Sequence, residues 1–560
     1  MIARAPLVLA VVLFLAALAI PRSARADEPV DSYVQLAELS DLATRPEWLR
    51  LLHVHAGAMA AESAIDDSAF FLSKRGRVDP EAELEATLEA FFEPQNPRDP
   101  DAHALCRFPA RFLFLRRTLG IVPPAARCPA LSEFTTKLHA RSVTFVYTTN
   151  FFANPASMFG HTFMRIGKAP RAPASQGDTT LEFTADVDTK NPILYTVKGV
   201  AGLFRGIYRY ARFADKMREY TASEDREMWD YDLALTDDEV EMLVDHLWEL
   251  RAAKVDYFYF TGNCAYRLLE IVEAAAPRLD LLSHLKPIVF PADAVSALMT
   301  SPGLVRETRY LPSSRERLKE KYEQLPIPAD KAPHLAHGPM RFDLGQGAGT
   351  QYGETFSSVG FRLALHDMND PPNGEPELAT VQFMDTRARY SETHRSFALD
   401  ELTFAEVTTL HPYGRFEKVP SFRIRGFAER VHDNGCTTRD CFAHGADFAG
   451  GLTLATKNEH FAVFAMADAF FLFSPDFDGI GGSFVRAGVG PYAGIRARVA
   501  PWLLGLVEIT ISYLPAQHLG STFDARASLR AGLAKNVALG FEGRADPLGI
   551  DGRIASYFYF

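Results

Sequence analysis

From about residue 340 to Phe560 the chain is written in stretches of roughly ten residues in which apolar side chains alternate with polar or small ones. Phe461-Ala-Val-Phe-Ala-Met-Ala-Asp-Ala-Phe-Phe and Trp502-Leu-Leu-Gly-Leu-Val-Glu-Ile-Thr-Ile-Ser-Tyr are two of them. In a third, Ala525, Ala527, Leu529 and Ala531 fall on one face while Asp524, Arg526, Ser528 and Arg530 fall on the other. A period of two belongs to a β-strand, whose successive side chains leave opposite faces. Gly, Pro, Asn and Asp separate the stretches at turn spacing, which predicts about twelve antiparallel strands over 340–560. A sheet with one apolar and one polar face, closed on itself, is a transmembrane β-barrel that leaves no backbone group unpaired in lipid. A soluble β-sandwich is the alternative for the same alternation.

The first 26 residues open with one charge at Arg4, run apolar from Pro6 to Ile20 and close Ala24-Arg25-Ala26, the layout of a secretory signal peptide. That apolar run is short for a bilayer-spanning helix, and no later stretch holds about 18 uncharged apolar residues in a row. Removing the signal takes three arginines and no acid, so the formal net charge of −11 becomes −14. An acidic chain of this kind argues against a nucleic-acid partner. Export also places the five cysteines in an oxidising compartment. Cys106 and Cys128 can close one local disulfide, and Cys436 and Cys441, which bracket a short polar stretch, another. Cys264 is left over, either buried and inert, partnered elsewhere, or kept for chemistry.

Between signal and barrel the pattern changes twice. Residues 27–135 read as mostly helical, with Glu81-Ala-Glu-Leu-Glu-Ala-Thr-Leu-Glu-Ala-Phe-Phe repeating apolar residues at helical steps. Residues 136–325 read as α+β: Ser142-Val-Thr-Phe-Val-Tyr and Thr162-Phe-Met-Arg-Ile are strand runs, and Thr236-Asp-Asp-Glu opens a helix with capping-box spacing. Prolines 326, 328, 333 and 339 mark a linker over 326–339.

Two motifs in the α+β region carry chemistry. Ser157-Met-Phe-Gly-His places His161 at the start of a strand, and Gly262-Asn-Cys-Ala-Tyr-Arg places Cys264 at the start of a helix. The first turn of a helix presents unsatisfied N–H groups and the positive end of the dipole, and Arg267 adds a charge one turn on, so the position favours a thiolate. His161 would take the thiol proton and return it to the leaving group. Asn263 is placed to cap the helix through its side-chain oxygen. The backbone N–H of Cys264 would supply one oxyanion donor, with the second unlocated. His53 and His55 lie close together without a further ligand at metal spacing and read as structural, and neither a metal nor a cofactor is expected. The basic and aromatic segment Lys198–Tyr220 reads either as an ordinary amphipathic face or as a headgroup-facing surface.

Residues from about 45 to 310 resemble the Lnb-type periplasmic domain family, named after a bacterial lipoprotein N-acyltransferase. Cys106-Arg-Phe-Pro-Ala-Arg, Ser157-Met-Phe-Gly-His, Lys198-Gly-Val-Ala-Gly-Leu-Phe, Trp229-Asp-Tyr-Asp-Leu-Ala-Leu and Gly262-Asn-Cys-Ala-Tyr-Arg-Leu-Leu carry the resemblance, in order. The order of strand histidine, then Asn-Cys helix, is also similar to permuted papain-like thiol acyltransferases of the lecithin–retinol acyltransferase type. The terminal Tyr557-Phe-Tyr-Phe resembles the C-terminal signature of outer-membrane barrel proteins. Together these imply a permuted papain-like domain with extra N-terminal helices, held in the periplasm by an outer-membrane barrel. They imply a Cys264 thioester with His161 as base and Glu182, on the following strand, as orienter of the ring. Phospholipid or lipoprotein would be the substrate, for acyl transfer or acyl hydrolysis. A peptidoglycan amidase or peptidase, and a non-catalytic barrel-anchored envelope binding protein, are the alternatives.

Overall fold

A computed structural model describes residues 28–56, 61–151, 157–170, 175–323, 331–414, 418–437 and 441–560. The expected signal peptide lies outside the described residues, as does part of the expected linker. The principal helices are α1 (Glu28–Leu39), α2 (Pro46–Leu51), α3 (Pro80–Phe92), α4 (Pro109–Leu119), α5 (Pro129–Leu138), α6 (Pro192–Val200), α7 (Asp237–Leu250), α8 (Cys264–Ala275), α9 (Pro291–Thr300) and α10 (Ser314–Glu323). Thr236 and Glu239 form the expected capping box at the head of α7. Seven strands precede the barrel: β1 (Ser142–Thr148), β2 (His161–Gly167), β3 (Thr179–Asp186), β4 (Phe204–Arg212), β5 (Met228–Leu233), β6 (Val255–Tyr257) and β7 (Val305–Leu311). They form a sheet of order β6-β4-β3-β2-β1-β5-β7. Among the described residues, no helix is long and apolar enough to cross a membrane.

The chain divides into two units. The first comprises Met1–Thr144, Met164–Phe213 and Ala234–His284, and the second Phe145–Phe163, Ala214–Leu233 and Leu285–Phe560.

The core of the first unit is aromatic. Trp48 is fully buried, stacks on Phe114 at 6.0 Å and donates its indole N–H to Pro80 O, which ties α2 to the start of α3. Trp248 of α7 donates to Cys106 O in the segment stapled by the Cys106–Cys128 disulfide. Arg111 is fully buried between these helices. Its guanidinium bonds Glu83 at 2.6 Å and Phe70 O at 2.8 Å and lies over the Phe108 ring. Burial of such a charge is tolerated because its hydrogen bonds are supplied inside the protein. The mostly helical N-terminal region also holds a hairpin, Val54–Ala56 paired with Ala61–Ser63. In the Lys198–Tyr220 segment Phe204 and Phe213 are buried while Arg205, Arg209 and Arg212 are exposed.

The second unit holds twelve barrel strands: β8 (Arg341–Gly349), β9 (Glu354–Arg362), β10 (Ala379–Ser391), β11 (Ser396–Thr409), β12 (Ser421–Arg430), β13 (Phe442–Ala455), β14 (Phe461–Phe473), β15 (Val485–Ala500), β16 (Leu503–Tyr513), β17 (Ser521–Ala534), β18 (Val537–Asp546) and β19 (Gly549–Tyr559). Each pairs antiparallel with the next, and β8 pairs with β19 from Arg341↔Tyr559 to Gly349↔Asp551, which closes the barrel. A soluble sandwich is thereby replaced by a ring without edges. The alternation falls as the sequence requires: Leu529 is 44% exposed and Arg530 4%. Phe448, Val507, Ile511, Phe541 and Ile554 are likewise turned outward.

Polar side chains fill the lumen. The segment after Ala364–His366 folds inward, so that Asp367 bonds Arg341 and Asp370 bonds Arg362, Arg530 and the Tyr559 hydroxyl, at 2.6–2.8 Å. A lumenal cavity of about 260 Å³ remains. Cys436 and Cys441 form the second disulfide, in the connection between β12 and β13. A cation placed on the lipid face has no such partners, so Leu529→Arg is expected to destabilise the barrel by about 2–4 kcal/mol. The check is the shift of the urea midpoint for folding into lipid vesicles, and an unshifted midpoint contradicts the assignment of that face to lipid.

Candidate functional site

Helix α8 begins at Cys264 because Asn263 stops the preceding turn and caps it. The Asn263 side-chain oxygen accepts from the N–H groups of Ala265 at 3.1 Å and Tyr266 at 3.2 Å, and its amide donates to Tyr259 O at 2.9 Å. The Lys198-Gly-Val-Ala-Gly-Leu-Phe motif serves the same turn. Gly202 has φ +70°, and a Cβ there would collide with the Phe258 ring at 2.0 Å. Cys264 is 4% exposed and, among the described cysteines, stands outside the two disulfides.

Behind Cys264 lies a buried charge cluster that the sequence did not announce. Arg267, one turn along α8, donates to Glu270 at 2.9 Å. The same carboxylate takes His53 Nδ1 at 2.9 Å and His55 Nε2 at 2.6 Å. His53 Nε2 in turn lies 2.9 Å from His246 Nε2. Two histidines and a glutamate recur in metal sites, but here the cation beside the carboxylate is the Arg267 guanidinium. Among the described residues no group is arranged to hold a metal ion. Burial works against the Glu270 charge, yet His53 and Arg267 outweigh it and hold its carboxyl well below the usual range. Burial pulls His53 down to about 4, against the opposing pull of Glu270. His53 and His55 are therefore structural in a specific sense, since they fix the acid that fixes Arg267.

Glu182 lies on β3 in the first unit, 5% exposed, with Arg209 opposite it in register on β4. Helix α8 packs on β3. His161 belongs to the second unit, half-buried at the start of β2. Its ring centroid lies 6.3 Å from that of Tyr220, and its backbone oxygen accepts from the Thr148 hydroxyl at 3.5 Å. Gly160 before it has φ +84°, and a Cβ would press on the Tyr147 ring at 2.9 Å, so the Gly-His dipeptide follows from the backbone turn. In the same unit Thr149, Tyr310, Glu316, Leu410, Phe422 and Glu459 line part of a cavity of about 980 Å³. No single stretch of sequence announces that cavity, since its walls come from β1, β7, α10 and the barrel turns.

Comparison with known proteins can now be set beside this geometry. Residues 130–301 match the Lnb N-terminal periplasmic domain. This Lnb domain contains His161, Glu182, Asn263 and Cys264. Residues 40–118 and 330–546 match two further families, each described as a domain of unknown function. The Cys106-Arg-Phe-Pro-Ala-Arg stretch thus falls in a separate family from the Lnb domain, which corrects the longer resemblance of residues 45–310. No curated protein matches the chain. Among solved structures the chain is similar to the KdgM porin (9% identity, TM-score 0.24, 39% of this chain and 99% of that one). It is also similar to the NanC porin (8%, 0.26, 40% and 100%). A third is an outer membrane channel from Pseudomonas putida F1 (10%, 0.26, 42% and 100%). The protein carries a periplasmic Lnb domain and a C-terminal barrel of the outer-membrane type.

The cluster behind Cys264 makes the first unit acid-sensitive. Folding favours neutral His53, so its contribution is complete above the unfolded value near 6.5 and is lost as pH falls toward 4. The Glu270 contribution, from a depressed carboxyl, is lost in the same direction at lower pH. Urea unfolding in detergent, followed by fluorescence of the buried Trp48 and Trp248, should lose stability on the order of 2–3 kcal/mol between pH 7 and pH 4.5. His53→Gln keeps a donor for Glu270 but takes up no proton, so it should flatten this slope, and an unchanged slope refutes the assignment.

Proposed function

We propose that the Lnb domain is a thiol enzyme that transfers or hydrolyses acyl groups at the periplasmic face of the outer membrane. The observation that carries the reading is Cys264 itself: a buried cysteine outside the two disulfides, on the first residue of an Asn-capped helix. Helix-terminal N–H groups and the buried Arg267 both favour the thiolate. Cys264 attacks the acyl carbonyl, His161 accepts the thiol proton and later protonates the leaving group, and Glu182 orients the imidazole. An amine or water then takes the acyl group from the thioester. The fold of the domain is read as a permuted papain-like core.

Lipid as the substrate class is supported by placement. A barrel with an apolar outer face keeps its unit at a membrane, where phospholipids and lipoproteins present ester-linked chains. The cavity of about 980 Å³ in the second unit has the size of a site for a large ligand and apolar wall residues in Leu378, Leu410, Val419 and Phe422.

The test is intact-protein mass spectrometry after the detergent-extracted protein is incubated with phosphatidylethanolamine vesicles or with a diacylated lipopeptide. A fatty-acyl adduct that hydroxylamine removes is expected on the unsubstituted protein and absent from Cys264→Ala. His161→Ala should form it roughly 100-fold more slowly or worse. Equal adduct on Cys264→Ala would show that the thiol is not the acyl carrier.

A further inference from the structure

A barrel of about eight strands is just filled by its own side chains and one of about sixteen leaves an aqueous channel, so in a ring of intermediate size the lumenal side chains decide whether anything passes. Here one arginine reaches across the lumen. Arg526 stands on β17 and Glu401 on β11, six strand steps apart in either direction round the ring, the widest separation the barrel offers. The two side chains nevertheless meet at 3.5 Å. Each nitrogen of the guanidinium has its own acid. Nε donates to Asp524 on the near wall at 2.9 Å, one terminal nitrogen faces Glu401, and the other donates to Glu429 of β12 at 3.1 Å. Three carboxylates about one cation would repel each other, and two further arginines offset them. Arg425 lies 3.4 Å from Glu401, and Arg544 lies 2.8 Å from Asp524. A second span joins Arg387 of β10 to Glu542 of β18 at 3.1 Å, four strand steps away. The inward segment adds a third, since Asn369 bonds the Ser528 hydroxyl and Asp370 bonds Arg530, both on β17. The cavity of about 260 Å³ that remains is lined by Arg526, Arg387 and Glu542 themselves.

We propose that the barrel is closed to hydrophilic solutes and serves as a membrane anchor, with Arg526 as the latch that joins its opposite walls. This is independent of the chemistry at Cys264. A solute crossing the lumen has to pass the level of Arg526, and to do so it must part the guanidinium from Glu401 and Glu429 and leave confined charges without their partners. The fork of the side chain matters as much as its charge. A guanidinium is planar and carries donors on all three nitrogens, so it can hold the near wall and the far wall together, whereas an ammonium is a point charge on a flexible stem. The sequence shows Asp524, Arg526 and Arg530 on the polar face of one strand, which suits a water-filled pore and a cross-linked lumen equally well. The partner is what distinguishes them, and Glu429 stands 97 residues from Arg526.

Liposome swelling in isotonic arabinose tests both halves of the proposal on the full-length protein, with heat-modifiable mobility on a gel as the measure of a folded barrel. Liposomes carrying the unsubstituted protein should swell within about two-fold of the protein-free rate, as expected of a filled lumen. Arg526→Ala removes the span and leaves its carboxylates to repel, so swelling should rise at least about ten-fold. If Arg526→Ala does not fold, Arg526→Lys, which keeps the charge and loses the fork, is read in its place with the same expectation. Rapid swelling with the unsubstituted protein overturns the proposal, because the barrel is then a conduit. A folded variant that swells as slowly as the unsubstituted protein also overturns it, because something other than Arg526 then shuts the lumen.

Discussion

A strand in lipid has no water to satisfy its backbone, and the pairing of β8 with β19 meets that requirement for the whole barrel. Every strand has two neighbours only because the last one returns to the first. The seam continues one residue beyond the strands, where Met340 and Phe560 exchange backbone hydrogen bonds at 3.0 and 2.9 Å. Closure also creates an interior, and that interior explains the charges in so weakly apolar a segment. Arg341, Arg362 and Arg530 converge on Asp367 and Asp370, so the lumen is a folded polar core with its own cross-links. The chain needs no apolar helix to live at a membrane.

In the first unit one carboxylate plays the comparable organising part. Glu270 lies on α8, and its partners come from the first strand of the N-terminal hairpin, from the residue just before it and from its own helix. Removing one member of such a set leaves a buried charge without compensation, at a cost of about 3–5 kcal/mol. The cluster therefore orients α8, and with it the turn from Tyr257 to Cys264. Asn263 works from the other side of the same turn, through three hydrogen bonds of one side chain. A helix end held from both sides presents its first residue in one position.

Much of this was legible in the residues. The alternation around Leu529 and Arg530 told lipid face from lumen, Thr236 and Asn263 announced their helices, and the cysteine spacings separated two local pairs from Cys264. These signals are local: they depend on a period, a cap or a short loop. His53 and His55, by contrast, gave no sign of Glu270, because the hydrogen-bonded His55 and Glu270 stand 215 residues apart in the chain. Separation in sequence also hid the inward turn of Asp367 and Asp370, since Asp370 meets Arg530 across 160 residues, and the segment reads as a polar loop until the barrel closes around it.

By itself, then, the sequence determined an exported chain with an α+β domain, an antiparallel barrel of about twelve strands and one cysteine outside the local pairs. Periodicity and turn chemistry suffice for that, because they act over a few residues. Tertiary structure alone decided which acid holds Arg267 and which carboxylates fill the lumen. Those are contacts between segments far apart in the chain, and only the packing of strands and helices brings them within hydrogen-bond reach.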